Sequence, residues 1–417
     1  MLIPNISSWV YGFSIGILLF GFGLMLFGTF PTSFDRSAFP SPREDFSYVS
    51  RSPLKGPGYP PVFAYYISGT RGQNAKIVRL LRAVYHPRNR YLLHLDGGAS
   101  DHERWELALS VEEERTFRAF RNVDVVGKSN ALDKKGSSAV AATLHAAALL
   151  LKIYKDWDWF ITLSASDYPI VTQDDLLHAF TLLPKDLNFI HFYNATDWKE
   201  QPDIKQIVVD PNLYVKRNSE IFYATETRDA PDAFRVFRGS SSGFFTRAFM
   251  EYCLHGWDNL PRQLLMYFTN VASPLEFYFH TVLCNSDDFR NTTVNDNLRY
   301  MVSDIPQQGE QSFSSQSNFT GMEQSSAAFA RHFQEDEEVL KKLDEKILKR
   351  LPDGLLPGNW CLRPALNHST ENSNLTACYS WGSINTVEPG PRGRRLANFL
   401  SKLAGERPSR SKQCGIS

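Results

Sequence analysis

The chain has 417 residues, with Lys plus Arg balancing Asp plus Glu at 45 each, so no net field draws it as a whole towards nucleic acid. Its apolar content is ample for one large or two medium domains. The five cysteines form no Cys-x-x-Cys or Cys/His spacing, which argues against a zinc site; they allow one or two disulfides and leave at least one thiol over.

No charged side chain occurs between Met1 and Phe34. From Trp9 to Phe30 the run is rich in Phe, Leu, Ile and Gly. As a helix it would extend about 33 Å, which matches a hydrocarbon core. It is longer than a signal-peptide apolar region and lacks a basic leader, so a retained single anchor is expected. Residues 1–8 form a short tail, 9–30 the anchor and 31–61 a Pro-, Ser- and charge-rich stalk. A domain over 62–351 and a coil-rich extension over 352–417 follow. Asn194, Asn291, Asn318, Asn367 and Asn374 each open an N-x-[ST] triplet. Together with the anchor they point to a single-pass type II protein with its folded part in the lumen.

Phe63–Ile67 reads as a strand, followed by the turn Ser-Gly-Thr-Arg-Gly and a helix over Ala75–Tyr85. Tyr91–Leu95 is a second strand that carries His94 and Asp96 to its carboxyl end, and Val123–Val126 a third. A long helix over Ser137–Tyr154 leads into Trp157–Ile170, the stretch that organises the chain. Its β-branched and large apolar residues form a strand buried on both faces, with Ser164, Ser166 and Asp167 at its exit. Gln173–Leu182 is helical and Phe189–Phe192 another strand. This alternation predicts an α/β fold with a mostly parallel sheet and helices on both faces. Ligands of such sheets bind outside the carboxyl ends of the strands.

No G-x-G-x-x-G follows the first strand, so no dinucleotide site is read. Asp156-Trp157-Asp158 has the form of a metal-nucleotide motif, but it opens its strand where a catalytic edge should close one. Phe237–Arg247 reads as a small-residue loop leading into a strand. Leu260–Ala272, with Tyr and Phe, suits the wall of a pocket. Ser273–Asn285 is expected to be one helix with Glu276 and His280 sharing a face. Ser273 with Glu276 fits a capping box, a complete structural account of the carboxylate. The same carboxylate could equally be a general base, and the residues leave both accounts open. Ser325–Phe333 and Glu337–Leu351 are expected to be helical. The basic residues Arg392, Arg394 and Arg395 are expected in a solvated tail. His94 and Asp96 fit a ribose or base site, and Arg331 with His332 a leaving diphosphate.

From about Pro60 to Leu351 the chain resembles the plant branch of glycosyltransferase family 14, relatives of the core-2/I-branching N-acetylglucosaminyltransferases. The strings that carry the resemblance include YYISGTRG, YHPRNRYLLHLD, DWDWFITLSASDYPIVTQDDLL, YCLHGWDNLPRQLLMYFTN, YFHTVLCN and FARHF. Within it the chain is most like β-glucuronosyltransferases of arabinogalactan proteins. The resemblance implies a GT-A-type (Rossmann-like) fold, a UDP-sugar donor, a galactan acceptor, inversion at the anomeric carbon and no metal. It implies Glu276 as general base; His94, Asp96, Asp167, Arg299, Arg331 and His332 on the donor side; and Gly239, Ser240, Ser241 and Ser242 on the acceptor side. It also implies residence in the Golgi membrane. Three departures stand out: His332 replaces the usual Lys or Pro, Ser242 an aromatic, and SPLEFYFHT the usual SPEGYFHT. Two alternatives stay open, the same fold with UDP-N-acetylglucosamine or UDP-xylose and a silent membrane-anchored glycan-binding protein.

Overall fold

A computed structural model describes residues 52–193, 202–215, 219–301, 316–333, 338–351, 354–362, 378, 380–405 and 414. The expected anchor, almost all of the stalk, Asn194, Asn367 and Asn374 lie outside these residues. Among the described residues no helix is long and apolar enough to cross a membrane.

Strands β1 (Phe63–Gly69), β2 (Arg90–Leu95), β3 (Val123–Val125), β4 (Trp159–Ser164), β5 (Asp167–Pro169), β6 (Asn188–Phe192), β7 (Gln206–Val209), β8 (Phe222–Thr227), β9 (Gly239–Thr246), β10 (Thr293–Val294), β11 (Arg299–Tyr300) and β12 (Phe329–Arg331) follow in order. Seven of them make one sheet in the order β10-β6-β9-β4-β1-β2-β3. All neighbours in it are parallel except β9, which runs against both β4 and β6. The mixed α/β fold with a mostly parallel sheet is therefore as the sequence predicts.

Alternation along the strands builds a core on each face. Phe63, Tyr65, Ile67, Trp159, Ile161 and Leu163 point to one side, where helices Asn74–Ala83 and Gln173–Thr181 cover them. Ala64, Tyr66 and Phe160 point to the other, against helix Ser137–Ile153 through Val140, Leu144 and Ala147. Asp156 and Asp158 are consumed at the start of β4, by the Arg90 guanidinium and the Val62 amide. The metal-nucleotide reading of that triplet has no geometry to support it.

Four expectations need correction. Ser325–Phe333 is not a helix: a helix covers Gln316–Gln324, and Phe329–Arg331 is β12, paired with β5 and β11. Strand partners on both sides, the buried β5 and β11, outweigh the helix propensity of Ala327, Ala328 and Ala330. Ser273–Asn285 is not continuous: Pro274–Glu276 is a single 3-10 turn, and the α-helix begins at Tyr278. Gly239–Ser242 is not a loop but the first half of β9. A Cβ at Gly239 would overlap the His191 carbonyl and His280 Nε2, so only glycine lets β9 lie this close to β6. Finally, the C-terminal part is not all coil. Pro391–Gly405 is a helix whose Leu396, Ala397 and Leu400 are buried against Gln173–Thr181. Arg394 and Arg395 lie on its solvated face, and Arg392 pairs with Glu323 at 3.0 Å.

Candidate active site

The carboxyl ends of β1 and β4 open into a cavity of about 420 Å³. Its floor comes from Tyr66 and Ser68 of β1, from Thr162 and Ser164 of β4, and from Asp167. The start of β9 contributes Ser240, Ser241 and Ser242, the turn Pro274–Glu276 contributes Glu276, and the end of β12 contributes Arg331 and His332. A larger groove of about 850 Å³ lies among helical residues instead, including Arg79, Glu106, Glu114 and Asp344. Its opposite charges pair with one another, as Arg79 with Asp344 at 2.9 Å and Arg82 with Glu114 at 3.8 Å. The smaller cavity is where parallel-sheet topology puts a ligand.

Asp167 has two jobs. Its Oδ2 accepts bonds from the Ser164 amide at 2.6 Å and the Ser164 hydroxyl at 3.0 Å, closing the turn after β4. Its Oδ1 lies 3.3 Å from Arg331 Nε, without hydrogen-bond alignment. The antiparallel pairing of β5 and β12 sets the two residues opposite each other. Arg331 Nη1 also reaches the Ser242 hydroxyl at 3.4 Å. Thr162 Oγ1, Asp167 Oδ1 and Arg331 Nε are thus buried polar atoms at one spot without hydrogen-bond partners among the described residues. Such atoms are costly unless a polar ligand or water meets them.

Glu276 is not a cap. Ser273 sits at a left-handed φ of 49° and makes no side-chain cap bond. The carboxylate binds Arg238 instead: Oε2 accepts from Nε at 2.9 Å and lies 2.8 Å from Nη2. Arg238 is held in turn by Asp203, at 2.9 Å from Nη1. Glu276 Oε1 carries no bond among the described residues, and the side chain keeps 28% of its exposure. One oxygen is therefore anchored while the other is available to a hydroxyl in the cavity.

The remaining predicted residues lie at varying distances from this centre. Ser240 accepts from Asn297 at 2.8 Å and supports Ser242 through its amide at 3.2 Å. Gly239, His94 and Asp96 do not line the cavity. His94 stands directly behind it, with Nδ1 2.8 Å from the hydroxyl of cavity-lining Tyr66. Burial lowers its pKa to about 4, so its imidazole is neutral at physiological pH. Burial raises the Asp96 pKa, and its Oδ1 accepts from the Gly98 amide. Arg299 is not brought to the cavity either. It is buried under β4, donating to the Thr162 carbonyl at 2.7 Å and stacked 4.6 Å over Phe329. Desolvation pulls its pKa down to about 10. His280 turns away from Glu276 and packs on the His191 carbonyl at 3.1 Å. Leu260–Ala272 supplies core contacts through Leu264 and Phe268 rather than cavity wall.

Sequence reading missed Arg238, Lys134 and Lys135. The lysines line the cavity from the loop before Ser137. No local pattern marks any of the three. Only the basic character of Arg238, next to a glycine-serine run, offered a signal.

Among the described residues no group of three His, Cys, Asp or Glu side chains is arranged to hold a metal. What the cavity presents is two carboxylates, Asp167 and the anchored Glu276, several cations and a strand-end floor. Such groups can take up a proton and meet an anionic ligand.

Comparison with known proteins agrees. Residues 63–333 match the Core-2/I-branching enzyme family. The β-glucuronosyltransferase GlcAT14A of Arabidopsis thaliana is 45% identical over 355 residues, covering 85% of this chain and 78% of that one. GlcAT14C of the same plant is 49% identical, covering 85% of each. Xylosyltransferase 1 of Rattus norvegicus is 29% identical over 57% of this chain and 28% of its own. The chain belongs to the Core-2/I-branching enzyme family and is a glycosyltransferase. Membership implies a nucleotide-sugar donor and a glycan acceptor.

Proposed function

We propose that the chain transfers glucuronic acid from UDP-glucuronic acid to galactan chains of arabinogalactan proteins, with inversion and on a GT-A-type scaffold. The observation that carries the mechanism is the free Oε1 of Glu276 in a cavity that also holds Arg331. An acceptor hydroxyl attacks the anomeric carbon of the donor and forms the new glycosidic bond. The bond from that carbon to the diphosphate oxygen breaks, and UDP leaves with the electron pair. Glu276 Oε1 takes the hydroxyl proton as attack proceeds. Arg331 offers its fork to the departing diphosphate, with His332 beside it. Tyr66, backed by neutral His94, and Ser68 line the floor at the ends of β1 for the nucleoside. Ser240 to Ser242 flank the acceptor. The plant relatives are β-glucuronosyltransferases, and that similarity supports the choice of donor.

Residence as a type II Golgi membrane protein with a lumenal catalytic part belongs to the same proposal. Disulfides Cys284–Cys414 and Cys361–Cys378 support an oxidising compartment, with Cys253 left as a buried thiol. Asn291 is exposed in the turn Arg290–Thr292, where a glycan has room.

The test is Glu276→Gln, which preserves shape and removes the base. The expected loss in kcat is roughly 10²–10⁴-fold, with an unchanged circular dichroism spectrum. Turnover by this variant at the wild-type rate would remove Glu276 from the mechanism. A panel of UDP-sugars against β-galactan oligosaccharides separates glucuronate from N-acetylglucosamine and xylose transfer. Silence towards all of them would favour a binding protein.

A further inference from the structure

The donor proposed above differs from UDP-glucose, UDP-xylose and UDP-N-acetylglucosamine in one respect that matters electrostatically: its sugar carries a carboxylate. Arg331 is committed to Asp167 and to the diphosphate end, and Arg238 is committed to Glu276 and Asp203. Two cations of the cavity remain. Lys134 and Lys135 line it, both are exposed, and among the described residues neither ammonium has an acidic partner.

Their loop is rigidly built. The Asp133 amide donates to Ser138 Oγ at 2.9 Å, the Lys135 amide to Asp133 Oδ1 at 2.8 Å, and the Gly136 amide to the Asp133 carbonyl at 3.0 Å. The start of the following helix is already occupied by Asp210, whose Oδ2 accepts from the Ser138 amide at 2.8 Å. An incoming carboxylate therefore finds the lysine side chains and not the helix terminus. The Lys135 carbonyl also accepts from the Ser273 amide at 2.8 Å. Ser273 directly precedes the turn that carries Glu276, so the two lysines belong to the same end of the cavity as the base.

In an inverting displacement the sugar lies between the hydroxyl at the base and the leaving diphosphate. The end stitched to Glu276 is thus the sugar end. We infer that Lys134 and Lys135 form the subsite for the uronate carboxylate of the donor and set its sugar specificity. The inference rests on the glucuronosyl reading. A lysine suits the task because its long stem brings a compact point charge to a single carboxylate at the rim. A neutral hexose offers it a hydroxyl without charge, and xylose lacks the carbon that would bear the group.

Affinity for UDP-glucuronic acid, UDP-glucose and UDP is to be measured by calorimetry on the full chain, for wild type and for the double variants Lys134→Ala/Lys135→Ala and Lys134→Gln/Lys135→Gln. Thermal melting checks that the variants fold. Wild type is expected to prefer UDP-glucuronic acid over UDP-glucose by about tenfold or more, the scale of a charge-assisted bond. Both double variants are expected to lose that preference while UDP and UDP-glucose bind within about twofold of wild type. Equal losses for UDP and UDP-glucuronic acid would reassign the lysines to the diphosphate and overturn the inference, as would a preference that survives the substitutions. A wild type without any preference would instead overturn the donor reading on which the inference rests.

Discussion

The proposed role of Glu276 requires one oxygen presented at a fixed angle on an unprotonated carboxylate, and Arg238 serves the first need directly. Both of its contacts fall on Oε2, and Asp203 holds the far side of the guanidinium. The three side chains form a relay of orientation rather than of protons. Loss of a charge-assisted contact of this kind is worth about tenfold or more in rate if it acts mainly in the transition state. Arg238→Ala is accordingly expected to lower kcat by roughly that factor with little change in donor KM, and added guanidinium ion should restore part of the rate. Steady-state kinetics with and without guanidine check this. A rise in KM alone, without rescue, would make Arg238 an acceptor contact instead. None of this was visible from the local pattern Ser-Pro-Leu-Glu, which fits a capping box. The left-handed Ser273 breaks the box and frees the carboxylate.

At the level of elements, the Arg331 side of the cavity is assembled by the small sheet β11-β12-β5. β12 lies between β11 and β5, and this pairing alone aligns Arg331 with Asp167. The C-terminal helix stabilises the scaffold behind it. The chain leading into that helix is fastened by two carboxylates of helix Gln173–Thr181: Asp174 accepts from the Glu388 amide at 3.0 Å and Asp175 from the Gly390 amide at 2.7 Å. Leu400 is fully buried there. Leu400→Ala is expected to cost about 2–5 kcal/mol in urea denaturation while the folded fraction keeps its kcat. A cost below about 0.5 kcal/mol, the size of a surface change, would mean that the helix does not dock.

For the molecule as a whole, buried histidines dominate the expected response to acid. Burial lowers the pKa values of His86 and His280 to about 3 and that of His94 to about 4. The unfolded chain protonates these imidazoles near pH 6.5, whereas the fold keeps them neutral. Their contribution is therefore fully present above that value and shrinks as pH falls towards 4. Asp174 works against this trend. Burial raises its pKa to about 6, so it costs stability as pH rises above its unfolded value and relieves that cost on acidification. Asp96 and Asp296, whose pKa values burial also raises, act in the same sense as Asp174, so the three histidines are partly offset by three carboxylates. Denaturation free energy is expected to be lower at pH 5 than at pH 7 by on the order of 3 kcal/mol, measured by urea titration at each pH. A flat profile would show that these histidines are protonated in the folded protein.

The sequence by itself determined five strands of the large sheet, β1, β2, β3, β4 and β6, the helices that cover it and the turn at Ser164–Asp167, but not β10 or the start of β9. These rest on periodicity and on neighbours a few residues apart, and a chain carries such information locally. It also singled out Glu276 and Arg331, through strings shared with a family. Tertiary structure alone decided that Phe329–Arg331 is a strand, that Pro391–Gly405 docks, and which cysteines pair. It also decided that Arg299 is buried beneath the cavity, while Arg238, Lys134 and Lys135 belong to the surroundings of Glu276. Glu276 and Arg238 are separated by 38 positions, and Ser273 meets Lys135 across an even longer stretch. Contacts of that span depend on how β9, the 3-10 turn and the loop before Ser137 pack, and no local pattern of residue types encodes that packing.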